Sequence, residues 1–189
     1  MKLKCITGIA LAAVFLLVAN FTARAEPAEK SYSLDEIVKS GQNFFGETSG
    51  GLAEVIENAF KRFGLPNGYI LGQEGSGAFI GGLTYGEGTL NTKAGGSEKI
   101  YWQGPSLGWD VGGQGSQVMM LAYNIGNSGK IHGRFGGVSG SAYVVAGAGF
   151  NVLKRGDVVL VPIHTGVGAR LGVNIGYLKL TNKPTWNPF

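Results

Sequence analysis

The sequence predicts a mainly β protein, a small and strongly curved antiparallel β-barrel preceded by two N-terminal α-helices. Three observations carry this expectation. Helical apolar periodicity is confined to the residues before Gly64. Every apolar run after Asn67 is short, rich in β-formers and bounded by turn clusters. The glycines are spread through those runs, where they mark bulges, bends and close backbone approach.

Residues 1–25 read as a secretory leader. Lys2 and Lys4 form a short positive start, residues 6–21 are almost wholly apolar, and Ala23-Arg24-Ala25 is a small-x-small cleavage signal. The apolar run is short for a membrane span. Cys5, the one cysteine, lies in the positive start and not at the cleavage point, so neither a lipid anchor nor a disulfide is expected. Cleavage after Ala25 and export to the periplasm are the expectation. The mature chain is then 189 less 25, or 164 residues, enough for one domain with a full core. Losing Lys2, Lys4 and Arg24 lowers the net charge from +4 to +1, so the basicity of the whole chain is partly a property of the leader. Nothing in that balance points to nucleic acid.

Residues 26–66 form the helical segment, expected to pack on the barrel as a plug or lid. Ser33-Leu-Asp-Glu36 is a capping box opening a helix to about Phe45. Leu52, Val55, Ile56, Ala59, Phe60 and Phe63 make the apolar stripe of a second helix, which Gly64 and Pro66 stop. Residues 67–189 hold the glycine-rich barrel. Its strand candidates are "YILG", "AFIGGLTYG", "KIYW", "SQVMMLAYNI", "SAYVVAGAGFNVL", "DVVLVPI" and "ARLGVNIGYLKL".

The stretch "GYILGQEGSGAFIGGLTYGEG" superficially suggests a phosphate loop. A dinucleotide fingerprint needs a helix opening on the glycines, and here they run on into a strand. The lysine and hydroxyl of a P-loop are missing as well, so no nucleotide is expected. Gly104-Pro-Ser106-Leu-Gly108 fits G-x-S-x-G, with Asp110, Asp157, His132 and His164 downstream. That motif works only at a strand-to-helix turn, and "LGWDVGGQG" cannot be the helix. His132 and His164 have no metal-ligand spacing. No catalytic constellation, metal site or cofactor is expected, and the chain reads as a non-enzyme.

The remaining conspicuous residues are aromatic and basic. Trp102 and Trp109 bracket Pro105, either sealing the barrel or lining a hydrophobic ligand pocket. Residues 26–64 carry net −3 and residues 65–129 net −2, while residues 130–189 carry net +6. Arg134, Lys154, Arg155 and Arg170 are therefore candidates for an anion-facing surface, unless the basic part simply packs beside the acidic one.

From Gly108 onward, "GWDVGGQGSQVMMLAYN", "GRFGGVSGSAYVVAGAGFNVL", "VPIHTGVGARLGVNIGYLKLT" and "TWNPF" resemble EipA, the cell envelope integrity protein A family. The likeness extends back through "IYWQGPSLGWD" and "YGEG". It implies a soluble periplasmic β-barrel that supports envelope integrity, with no catalytic residues to carry over. More distantly, "GYILGQEGSG" and the pattern W-x-x-P…G-x-x-V-G-G-Q are similar to the lipid-binding SYLF domain.

Three readings stand side by side. The barrel binds an envelope lipid or lipopolysaccharide-related ligand; or it is filled by its own side chains and acts on envelope proteins as a scaffold. The third is a membrane-embedded barrel, against which Pro188 interrupts the last strand and no sustained alternation with aromatic girdles is traceable.

Overall fold

The computed structural model describes residues 30–46, 51–77, 83–105, 116–126, 128–138, 143–145, 148–164, 176–187 and 189. The leader, Trp109, Arg170 and most of the G-x-S-x-G motif lie outside these residues.

Two helices come first, α1 (Leu34–Phe45) and α2 (Leu52–Phe63). The capping box is formed as expected: the Ser33 hydroxyl accepts the Glu36 N–H at 3.3 Å, and the Glu36 carboxylate accepts the Ser33 N–H at 2.8 Å. Gly64 ends α2 at a φ of +77°, a conformation only glycine adopts cheaply.

Ten strands follow: β1 (Gly68–Gly77), β2 (Leu83–Thr92), β3 (Gly96–Pro105), β4 (Ser116–Tyr123), β5 (Gly133–Gly137), β6 (Tyr143–Val145), β7 (Ala148–Phe150), β8 (Leu153–Arg155), β9 (Val158–His164) and β10 (Tyr177–Thr181). They make one antiparallel sheet in the order β4-β1-β2-β3-β10-β5-β8-β9-β7-β6. The pairing of β4 with β9, from Val118↔His164 to Tyr123↔Val159, closes eight of them into a barrel. β6 and β7 extend the staves of β5 and β8. Pro162 explains the gap between β7 and β8: its carbonyl accepts the Asn151 N–H at 3.3 Å, but proline has no N–H to return.

Strand alternation sorts the side chains into two cores. Ile70, Leu90, Ile100, Trp102, Met120, Phe135, Leu153, Leu160 and Leu180 come from all eight staves and fill the barrel. The intervening residues Met119, Leu121, Tyr123, Val159, Val161 and Ile163 belong only to β4 and β9, and meet Ile37, Leu52, Val55, Ile56 and Ala59. The helices therefore cover the outer wall around β1, β4 and β9. The expected plug or lid is instead a cladding, because the apolar stripe of α2 matches the apolar outer face of β4 and β9. Each fully buried aliphatic side chain under it contributes about 2 kcal/mol.

Candidate functional site

Inside the barrel, one polar cluster interrupts the apolar filling. Glu74 of β1, Gly86 of β2 and Trp102 of β3 lie in one row across three strands. Trp102 is fully buried, and its indole N–H donates to Glu74 Oε2 at 3.1 Å. His164, at the end of β9, places Nε2 3.0 Å from Glu74 Oε1. The two side chains are only 10% and 17% exposed. Burial pushes the Glu74 carboxyl up, but the hydrogen bond and charge of His164, with the Trp102 N–H, outweigh it and hold the group below the usual carboxylate range.

Glycine makes this arrangement possible. A Cβ on Gly86 would stand 2.1 Å from Trp102 Cε2, and one on Gly72 would stand 2.7 Å from Trp102 Cη2. The indole thus lies flat over bare backbone of β2 and reaches across to β1. Of the glycines in "GYILGQEGSG" and "YGEG", Gly72 and Gly86 serve close approach of Trp102, and Gly72 and Gly88 also let the backbones of β1 and β2 come close.

Sequence reasoning treated Glu74 and His164 as isolated residues. They are 90 positions apart, and the apolar run before His164 gives no reading of which face it points to. The usable signal was Glu74 itself, a carboxylate two positions beyond Gly72 and four beyond Ile70, hence on the inward face. Chemically, a buried carboxylate ordering an imidazole can fix a tautomer and hold a proton. Among the described residues no group of three or more His, Cys, Asp or Glu side chains could hold a metal ion.

The basic candidates are divided. Arg134 on β5 and Lys154 on β8 are exposed and point outward, Arg134 on the wall opposite the helices and Lys154 between that wall and helix-clad β9. Arg155 does not join them: its Nη1 donates to the carbonyls of Lys130 and His132 at 3.0 and 2.6 Å, and its guanidinium covers Gly133. Lys179 of β10, directly opposite Arg134, belongs to the same outer wall. Beside it Pro105, Arg134, Tyr177 and Phe189 border an open hollow of about 400 Å³.

The sequence matches the Envelope integrity protein A family over residues 30–189. This chain belongs to the EipA family. A crystal structure of an uncharacterized, beta-barrel-like protein from Brucella abortus is 69% identical, with a TM-score of 0.80, covering 85% of this chain and 100% of that one. No curated protein matches the sequence. The EipA match takes in both helices and every strand of the barrel, so cladding and barrel belong to one family unit.

Proposed function

We propose that the protein is a non-catalytic, exported barrel that supports the integrity of the cell envelope through its outer surface. The observation that carries this reading is the filled interior: Ile70, Leu90, Ile100, Trp102, Met120 and Phe135 are each at most 1% exposed. An interior of eight strands is just wide enough for its own side chains. That favours the scaffold reading over a barrel that carries a small molecule inside. The envelope role is supported by the family's name and the export by the leader-like residues 1–25. Against embedding in lipid, exposed Glu87, Lys99, Arg134 and Lys154 point outward from β2, β3, β5 and β8, while helices clad the wall around β1, β4 and β9.

The test combines deletion of the gene with native mass spectrometry of protein recovered after export without detergent. Detergent sensitivity in the deletion strain, rescued by the gene, together with a bare mass is the expected result. A bound organic molecule removable by solvent would replace the scaffold by a cargo barrel. Unaltered detergent resistance in the deletion strain would remove the envelope role.

A further inference from the structure

We infer that the wall opposite the helices is a membrane-docking surface, which presents Trp186 and Phe189 among basic side chains to anionic lipid headgroups. The inference rests on the envelope reading above and names the partner of that outer surface.

The chain after β10 is pinned to this wall. Lys179 Nζ donates to the main-chain oxygens of Asn187 and Phe189 at 3.0 and 2.7 Å. The Tyr85 hydroxyl donates to the Trp186 carbonyl at 2.9 Å, and the Asn187 side chain accepts the Phe189 N–H at 2.9 Å. Despite this ordering, Trp186 is 82% and Phe189 69% exposed, against 49% and 39% for Leu65 and Val138. The indole leans on the Tyr85 ring at 5.5 Å and is otherwise left to solvent. A tail held by side-chain hydrogen bonds that still turns its two aromatics outward is suited to a second, partly apolar phase. Tryptophan favours the headgroup level of a bilayer, where its body is apolar and its N–H stays wet.

The surrounding charge selects the kind of surface. Arg134 borders the same hollow as Phe189 and sits opposite Lys179 in the strand pairing. Lys154 faces Gly136, two residues along from Arg134, and exposed Lys183 lies on the tail itself. The Glu87 carboxylate on this wall is already met by Lys99 at 3.4 Å. The wall is therefore net positive, and each such charge near an anionic membrane strengthens binding roughly fivefold. The helix-clad wall differs: Tyr32, Phe45, Phe60 and Phe63 pack against the core, and the exposed charges there are mixed, with Asp35, Glu36, Glu54 and Glu57 beside Lys39, Lys61 and Arg62. A packed protein interface excludes charge from its apolar centre, whereas here cations surround the aromatics, as phosphate headgroups require.

The experiment uses the full gene product recovered after export, mixed with phosphatidylcholine vesicles with and without phosphatidylglycerol, half of them brominated along the acyl chains. Co-sedimentation with the anionic vesicles, weakened by salt, is expected, with quenching of tryptophan fluorescence that Trp186→Phe abolishes. The doubles Trp186→Ala/Phe189→Ala and Arg134→Glu/Lys154→Glu should each weaken binding at least tenfold, with unchanged melting temperature. Should a double fail to fold, the quenching difference between the natural chain and Trp186→Phe decides alone. No binding to anionic vesicles, equal binding without phosphatidylglycerol, or quenching that persists in Trp186→Phe would overturn the inference. Variants that lose vesicle binding yet restore detergent resistance would overturn this surface while leaving the envelope role standing. A deletion strain with normal resistance would strike the envelope role whatever the vesicles do.

Discussion

Strand β3 passes two carboxylate–histidine pairs, Glu74–His164 near its end and Glu98–His132 near its start. In the first, Glu74 is gripped from two sides, by His164 at 3.0 Å and by the Trp102 N–H at 3.1 Å. In the second, Glu98 and His132 stand 3.9 Å apart, and the facing Oε1 and Nε2 are shielded from water without a hydrogen bond. The residue types are the same, so the surroundings make the difference. Gly72 and Gly86 leave bare backbone on which a third group, the indole, can reach Glu74. Glu98 is paired across the strands with Leu90, which offers its carboxylate no donor. A carboxylate and a histidine meeting in a barrel become a built cluster only where small neighbours admit a third partner.

The largest expected effect separates the two pairs directly. Glu74→Ala leaves His164 and the indole N–H without their acceptor and is expected to cost about 3 kcal/mol in urea unfolding. Glu98→Ala is expected to cost less than about 1 kcal/mol, since that pair is partly exposed and unbonded. Equal losses for the two would erase the distinction. Next comes the glycine that admits the indole. Gly86→Ala forces a Cβ into Trp102 and should cost about 2 kcal/mol. Gly75→Ala, with nothing within 4 Å of the added carbon, should be nearly neutral and serves as the control. A harmless Gly86→Ala would mean that the indole does not lie where it is described.

The smallest effect is a pH dependence. The Glu74 carboxyl titrates below its ordinary range in the folded chain, so the unfolded chain holds that proton more tightly. The stability from the ionised pair is thus fully present above the ordinary carboxylate value of about 4.3 and is lost as pH falls through the lower folded value. The gap in urea midpoint between the natural chain and Glu74→Gln should narrow on acidification. A gap that stays constant from about pH 7 to about pH 3 would show that the pair is not held as an ion.

Much of the fold was legible because it is written in local chemistry. The Ser33–Glu36 capping box, the α2 stripe and Gly64 are signals within a few residues of each other, and each is found where expected. The curved barrel was legible from glycines spread among β-rich runs. The placement of the helices was not, since an apolar stripe tells that a face is buried and says nothing of what buries it. The outer faces of β4 and β9 could not be told from their inner faces in "VMMLAY" and "VVLVPIH", where both sides are apolar. The Glu74–His164 contact depends on closure of β9 against β4 and β4 against β1, a register that no short stretch encodes. Of the basic residues, Arg134 and Lys154 could be placed on one surface only after that register was known, and the same register turned Arg155 to a structural task.

The position of β10 also governs when the chain can fold. It fills the gap between β3 and β5, so Leu178 and Leu180 complete an interior whose other walls were laid down far earlier in the sequence. Until Thr181 has been synthesised, the barrel is an open sheet with two unpaired edges and an apolar face in water. Such non-local closure is slow compared with helix formation. The last described strand is therefore the latch, and the nascent chain remains extensible until it arrives.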